Sequence, residues 1–529
     1  MPLVDLPGAI GPTYKGIAPA VAGERCVNLI PEKVEAEGKT TYYYTKAPGL
    51  SGAIAMPAGT PVDVAVNGTV RGSGIQANGT VLSPDGFSNI AVNGVPLVMP
   101  IPGPGVAAGV YINGRRFFIV NDALWELTGP APPFQAVNLG SVGPVVGPYV
   151  RYSIGVNIRG NQLAIASNNK TSLFDLTTNT FYTSVTTPEP LLEVDELDGY
   201  FIGLAASGNF YISGFQDGTT WDPLDFAFEE TPDLTMAIKV CNRRIMMFGS
   251  NHIESYVDSG DPNFPFTRDQ SVYVECGAYR NSLIIADNMI YGIAVDARGA
   301  AWPFRLAGVT PQRISTHAVE TSWQSYQTVR DVAARAYQEN GHTFVAFNFP
   351  GANATWAYDI ATGLWAERGV WNATTRAWER DWGEVHIYDA ALALHLVGDY
   401  RNSSIYIQGQ NYYDFAGTPI YWMRRFPHVN SDQLGIVYDL VRLICQTGVN
   451  GTLAAGVPAT ITLAKSEDGG YTFTAPVRPV SIGSAGAYNK RIDWRALGRA
   501  TDRVFEISGH DPIPLALIAL KGQVRPCFN

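Results

Sequence analysis

Short runs of alternating apolar and polar residues, closed by Gly, Asn or Asp, recur along most of the chain. Val62-Asp63-Val64-Ala65-Val66 leads into Asn67-Gly68, Asn89-Ile90-Ala91-Val92 into Asn93-Gly94, and Gly109-Val110-Tyr111-Ile112 into Asn113-Gly114. Asn-Gly between such runs signals a hairpin, because a type I′ turn needs positive φ at both central residues. Further short strands are expected at 200–205, 209–213, 245–248, 282–286, 289–294, 342–348, 395–397 and 404–408. Helical spacing is confined to 321–334, with one buried face, and to a few residues around 31–37.

A longer pattern recurs in the middle of the chain. Phe174-Asp175-Leu176-Thr177-Thr178-Asn179-Thr180-Phe181 and Tyr358-Asp359-Ile360-Ala361-Thr362-Gly363-Leu364-Trp365 each run from an aromatic and Asp through a polar turn to a second aromatic. The Asp and Thr side chains can bond the turn backbone while the aromatics cover a neighbouring sheet. Such hairpins recur blade by blade in β-propellers. Near the C-terminus, Ser466-Glu467-Asp468-Gly469-Gly470-Tyr471-Thr472-Phe473 has the form of an Asp-box. In it Ser466 and Asp468 cap a tight hairpin, Gly470 supplies the special backbone angle and Phe473 packs beneath. These patterns divide the chain into an extended N-terminal arm at 1–50, a β-propeller-like domain at 51–432 and a C-terminal β-sandwich-like unit at 433–529. Pro/Gly-rich stretches at 96–109 and 129–148 are expected as loops reaching neighbouring subunits.

Composition agrees with an all-β fold. The chain has 529 residues, 46% of them hydrophobic and 16% charged, with 54 Gly and 35 Pro, which suits a turn-dense folded protein and excludes disorder. A net charge of −10 without a Lys/Arg block disfavours tight nucleic-acid binding, which relies on neutralising phosphates. No apolar run is long enough for a membrane helix, and residues 1–20 lack a secretory pattern. The five cysteines, Cys26, Cys241, Cys276, Cys445 and Cys527, are expected as free thiols. Asn67-Gly68-Thr69 and Asn353-Ala354-Thr355 match the glycosylation pattern but are expected as turns.

The candidate chemistry is sparse. His252, His317, His342, His386, His395, His428 and His510 have no metal-ligand spacing, and His342 is expected to be structural. No nucleophile elbow or P-loop is present. Glu193, Asp195, Glu196 and Asp198, like Glu229, Glu230 and Asp233, are expected as solvated loop clusters rather than a glycosidase pair. The pairs Arg243-Arg244 and Arg424-Arg425 are expected to bridge acidic surfaces of neighbouring subunits. Trp365, Trp371, Trp378 and Trp382 are expected to pack between blades rather than form a sugar platform. No catalytic residue, metal or cofactor is expected.

Several stretches carry a family likeness. Gly23-Glu24-Arg25-Cys26-Val27-Asn28-Leu29-Ile30-Pro31-Glu32 with Ala47-Pro48-Gly49-Leu50 resembles the N-terminal signature of podovirus tail proteins. Agreement continues at Gly341-His342-Thr343-Phe344 with Phe349-Pro350 and Tyr358-Asp359 to Trp365, and at Gly398-Asp399-Tyr400-Arg401-Asn402. It extends to the Asp-box and to Arg491-Ile492-Asp493-Trp494-Arg495-Ala496-Leu497-Gly498-Arg499-Ala500. The chain resembles the P22-like packaged DNA stabilisation, or tail hub, family. The resemblance implies a β-propeller in a hexameric ring on the tail axis of a virion assembled in the host cytoplasm. It implies portal and adaptor proteins above, fibres or spikes and a plug or needle below, and double-stranded DNA passing without specific binding. Function then follows as a non-enzymatic hub or nozzle that helps retain packaged DNA and conducts it at ejection. The alternative is a receptor-binding or polysaccharide-degrading tail protein on the same fold.

Overall fold

Two-residue turns in the left-handed region organise the strands. Asn113 and Gly114, at φ 50° and 79°, join Ala108–Ile112 to Arg115–Val120. Asp198-Gly199, Asn242-Arg243, Asp287-Asn288 and Asn340-Gly341 do the same at later hairpins, all with positive φ. In the computed structural model these hairpins belong to seven successive antiparallel sheets. The structure describes residues 3–527, apart from 7–10, 16–22, 37–38, the non-strand parts of 56–104, and 148, 229–232, 262–263, 296–300, 431–433, 450, 455 and 475–476. The Asn67-Gly68 and Asn93-Gly94 turns lie outside the described residues, although Ala65–Val66 pairs with Thr69–Val70 and Asn89–Val92 with Val95–Val98.

The first four blades each run through four strands in chain order: 108–141, 153–185, 191–227 and 237–274. Blade 5 spans 277–313 and blade 6 spans 333–368. Blade 7 takes Gly383–Asp389, Leu394–Asp399 and Ile405–Gly409 from the chain itself, and its next strand is Gly49–Leu50. The inner strands of successive blades lie side by side, with Ala237–Cys241 of blade 4 against Met289–Val295 of blade 5, and Gly383–Asp389 lies beside Ala108–Ile112, so the ring closes. The N-terminal arm thus supplies the outer strand that seals the last blade. A buried ion pair between Arg116 of blade 1 and Asp389 of blade 7 adds to this closure.

The remaining arm strands build the sandwich. One sheet contains Leu29–Ala36, Lys39–Lys46, Ala516–Cys527, Gly435–Cys445 and Ile492–Ala500 in that order, with Val4–Asp5 on Ala516–Cys527. The other continues from blade 6 through Gly23–Val27, Trp422–Arg425, Asp502–Gly509, Ala459–Ser466 and Val477–Gly483. Cys26, Tyr44, Trp422, Tyr438, Trp494 and Phe505 are buried between them. Of the stretch 31–37, residues 31–36 are therefore strand and not helix, and Glu37 lies outside the described residues. Pro31 is tolerated because Leu29–Ala36 is an edge strand, where a missing ladder donor costs little. Helix appears at His317–Gln324, earlier and shorter than 321–334, since by Ala333 the chain is already the inner strand of blade 6. The stretches 96–109 and 129–148 are not wholly loop, as Ala108–Ile112 and Gln135–Ser141 are strands of blade 1.

Asn28 ties these parts together. It is fully buried with φ 54°. Its amide donates to the carbonyls of Gly369 at 2.6 Å and Tyr421 at 2.8 Å, and its side-chain oxygen accepts from the Gly369 N–H at 3.1 Å. Its backbone N–H donates to the Glu367 carbonyl, and its own carbonyl accepts from the Ala47 N–H. Asn suits both demands, because it tolerates the left-handed region and offers a donor and an acceptor on one short side chain. Asn28→Asp keeps the shape but sets an acceptor against two buried carbonyls. We expect it to lower the unfolding free energy by about 2–4 kcal/mol, measured by urea denaturation of the purified chain.

Candidate functional site

Between blades 6 and 7 the hairpin Val370–Asn372/Ala377–Glu379 stands apart from both sheets. Trp371 stacks on Tyr421 at 5.5 Å and meets Trp378 edge-on at 5.4 Å, while Tyr421 lies parallel to His510 at 6.3 Å. Trp371, Tyr421 and His510, with Trp382, Arg401 and Pro419, line a cavity of about 540 Å³ where the propeller meets the sandwich. Arg401 sits 3.4 Å from the centre of the Trp382 ring and pairs with the buried Asp399 at 2.8 Å. The four expected aromatics therefore divide. Trp365 is a buried packing residue and Trp382 is buried in the cavity wall, whereas Trp371 is half-buried on the lining and the half-buried Trp378 packs against Trp371.

The centre of the propeller is nearly filled. Arg151, Glu193, Lys239, Arg280, Arg335 and Glu384, drawn from six blades, surround a space of about 270 Å³. Arg151 reaches across from blade 2 to form an ion pair with Glu384 of blade 7, which Arg380 also contacts at 2.7 Å. These two guanidiniums hold the buried Glu384 carboxyl below its usual range despite burial. Nearby, Asp381 is enclosed by Arg335 at 3.1 Å and Arg368 at 3.4 Å. Such a volume lies just under the roughly 300–1,000 Å³ of small-molecule pockets.

The carboxylates of 193–198 are not a solvated loop, because they lie on the strand Leu191–Leu197 and the turn after it. Glu193 accepts from the Ile238 N–H at 2.7 Å and Asp195 from the Val240 N–H at 2.8 Å, both on the first strand of blade 4. That strand edge would otherwise leave donors unpaired. Burial pushes both carboxyls up. Glu229 and Glu230 lie outside the described residues. Asp233 is a local clasp that accepts from the N–H groups of Asn251 at 2.7 Å and His252 at 3.1 Å.

The arginine pairs find their partners within the chain. Arg243 is a turn residue whose side chain meets Asp198 of blade 3 at 2.8 Å, and Arg244 pairs with Asp269. Arg424 is fully buried with Glu24 at 2.8 Å, while Arg425, on the opposite face, pairs with Glu506 at 2.8 Å. For Arg424 and Arg425, strand neighbours from the arm and the sandwich bring Glu24 and Glu506 within reach. Arg424 is thus taken up inside the chain, whereas the Arg243 side chain stays 72% exposed beside Asp198.

His342 begins the second strand of blade 6 and bridges two carboxylates. Its Nδ1 lies 2.8 Å from Asp359 and its Nε2 lies 3.0 Å from Glu32 of the arm. His386 and His395 of blade 7 face each other at 3.0 Å, and burial drives the His386 pKa down to about 3. Both line a second cavity of about 620 Å³ with Asp287, Glu339, His342 and Tyr388. Burial pushes the Glu339 carboxyl up to about 7. Among the described residues no group of three or more His, Cys, Asp or Glu could hold a metal ion, and the five cysteines are free thiols.

At the Asp-box, the Ser466 hydroxyl donates to Asp468 at 2.7 Å and accepts from the Gly470 N–H at 2.9 Å. Asp468 also accepts from the Thr472 N–H at 2.9 Å. Phe473 is half-buried, and the Arg425 guanidinium covers its ring at 4.0 Å. The two echo hairpins work in a similar way. Asp175 accepts from Thr177 and Thr178 N–H groups, and Asp359 from the Ala361 N–H and Thr362 hydroxyl. Asn372 and Asp389 cap two further copies, Trp371–Trp378 and Tyr388–His395. In all four the residue four positions after the cap has positive φ: Asn179, Gly363, Arg376 and Ala393. Arg and Ala at that position hid the last two copies in the sequence.

Comparison with known proteins follows this division. A family described as Bacteriophage P22 Gp10, beta-propeller, matches residues 135–411. A second, Bacteriophage P22 Gp10, beta-sandwich, matches 421–525. The chain belongs to the P22 Gp10 family. It is accordingly a phage structural protein of a non-catalytic family, with a propeller, a C-terminal β-sandwich and little helix. No curated protein matches the chain. Among solved structures it is similar to the WD40 β-propeller domain of Doa1 at 9% identity, covering 58% of this chain and 94% of that one, with TM-score 0.36. It is also similar to YCF48 from Cyanidioschyzon merolae at 10% identity, covering 59% and 97%, with TM-score 0.36.

The His342 bridge gives a pH prediction. Its hydrogen bonds to Glu32 and Asp359 outweigh burial and raise its pKa above the ordinary 6.5. Its stabilising contribution is complete below the unfolded value and is lost as pH rises through the folded one. Hydrogen exchange of residues 29–33 should therefore accelerate as pH rises above about 6.5, after correction for intrinsic rates. In His342→Gln the corrected rates should be pH-independent.

Proposed function

We propose that this Gp10-family chain is the hub or nozzle of a short phage tail. Copies form an oligomeric ring, a hexamer by the family resemblance, attached to the portal and adaptor proteins. Fibres or spikes and a plug or needle join it from below. The ring helps retain packaged DNA and conducts it at ejection without gripping it. The family match across propeller and sandwich carries this reading. The charged side chains from six blades that line the propeller centre support it as well, since DNA then passes through a lumen between copies. In this role the Asp-box turn of Ser466, Asp468, Gly470 and Phe473 is a structural clasp and not a site of chemistry.

Electron microscopy of particles tests the placement. An axial ring is expected, together with particles that lack a completed tail and lose DNA when the gene is deleted. A peripheral appendage in its place would sink the proposal. The aromatic cavity at Trp371, Tyr421 and His510 favours one second reading, a tail protein that binds surface glycan, since aromatic faces can stack on sugar rings. Titration with host lipopolysaccharide oligosaccharides should leave tryptophan fluorescence unchanged if the hub reading holds. Quenching that Trp371→Ala removes would support the alternative.

The clasp role has its own test. Hydrogen bonds from Thr472 and Ser466 hold the Asp468 carboxyl far below its ordinary value of 3.8. Its contribution is therefore present above that value and lost as pH falls below it. Asp468→Ala should accelerate hydrogen exchange in residues 466–474 at neutral pH, with little change in the rest of the chain.

A further inference from the structure

Charge is distributed very unevenly. Between residues 171 and 238 there are twelve acidic residues and no Lys or Arg, so that stretch carries −12 against −10 for the whole chain, and the remainder sums to +2. This stretch contains all of blade 3. Its outermost strand, Asp217–Ala227, pairs only with Phe210–Gly214 among the described residues, which leaves one edge open. The strand and the residue after it expose Leu224 at 82% and Phe228 at 56% beside Asp222 and Asp225. An open edge with large apolar side chains and uniform negative charge is a surface that a partner should cover.

A complementary edge exists elsewhere on the chain. Ile492–Ala500 is the last strand of its sandwich sheet and pairs only with Gly435–Cys445 among the described residues. Along it and just before it, Lys490, Arg491, Arg495 and Arg499 are exposed, with Asp493 as the single acid between them. Arg495 touches Asp493 at 3.3 Å, yet its side chain remains 73% exposed.

The topology puts these edges at opposite ends. In a ring of seven blades, blade 3 faces the boundary between blades 6 and 7. The sandwich is attached there, through Gly23–Val27 on Leu364–Arg368. Within the sandwich, Leu29–Ala36 lies against Leu364–Arg368 on the propeller side, whereas Ile492–Ala500 lies against Val477–Gly483, the far strand of the other sheet. Like edges would repel, so a two-fold contact of either edge with itself is disfavoured. Opposite edges at opposite ends suit a heterologous contact, the kind that closes into rings.

We propose that the acidic edge of blade 3, Asp222, Asp225, Leu224 and Phe228, docks on the basic edge Lys490–Arg499 of a second copy of this chain. Repeated from copy to copy, the contact forms the ring. The proposal rests on the tail-ring reading above and names the faces that meet. A second copy fits better than DNA because it supplies the opposite charge at the opposite end, and DNA would leave the apolar side chains of blade 3 uncovered.

Paired charge reversal tests this on the full chain, with folding checked by circular dichroism. One variant carries Asp222→Lys and Asp225→Lys, the other Arg491→Glu and Arg495→Glu. Each is added to particles lacking this protein, and ring formation is scored by electron microscopy. Each variant alone should weaken assembly at least about tenfold. An equimolar mixture should restore it, because the reversed acidic edge of one then meets the reversed basic edge of the other. Raising the salt concentration should weaken the wild-type ring. If wild type assembles and both variants assemble equally well alone, this contact is overturned and the tail-ring reading stands. If wild type forms no ring, both are overturned. Loss of duplex DNA binding in Arg491→Glu/Arg495→Glu with unchanged ring formation would assign the basic edge to DNA and overturn the contact.

Discussion

The buried amide of Asn28 is the constraint on which the architecture depends. It sits where the arm leaves the sandwich strand Gly23–Val27 and begins the hairpin from Leu29. Its bonds run to Gly369 after blade 6 and to Tyr421 before the sandwich strand Trp422–Arg425. One side chain therefore joins the arm to two segments that lie 341 and 393 residues further along the chain. Lys46 reinforces the same seam by donating to the Tyr413 carbonyl at 2.9 Å and the Asp511 carbonyl at 3.0 Å. Propeller and sandwich are consequently not two units on a linker. The arm is a strand in both.

Buried charge serves the same end within the ring. Asp389 caps its own hairpin and meets Arg116 of blade 1, while Asp359 caps its hairpin and meets His342. Glu193 and Asp195 bond the backbone of the next blade directly. Isolated buried charges would be destabilising, and burial is tolerated here because each carboxylate meets at least one donor. Specificity of blade order is a natural consequence, since a mispaired blade would leave such a charge alone.

These arrangements also limit where function can reside. The propeller centre is lined by charged side chains from six blades, among them the Arg151–Glu384 pair. What remains outward is an aromatic cavity at the seam and two oppositely charged strand edges. A structural protein whose partners are large surfaces has little need for a reactive constellation. Its information lies in edges and charge distribution.

By itself the sequence determined the all-β class, the hairpin turns and the family likeness, because these depend on neighbours within a few residues. Asn-Gly at 113–114, the Asp359 turn and the Ser466–Asp468 pattern are local chemistry, and local chemistry is legible. The tertiary structure decided what depends on distant strands. Residues 31–37 carry some helical spacing, yet pairing with Lys39–Lys46 made 31–36 strand. Carboxylates that read as a solvated cluster became buried inter-blade bonds once blade 4 lay beside them. Gly49–Leu50 gave no sign of being a blade strand, because its partner Gln408 lies far along the chain. A strand this short has no periodicity of its own, and only the closing of the ring gives it a place.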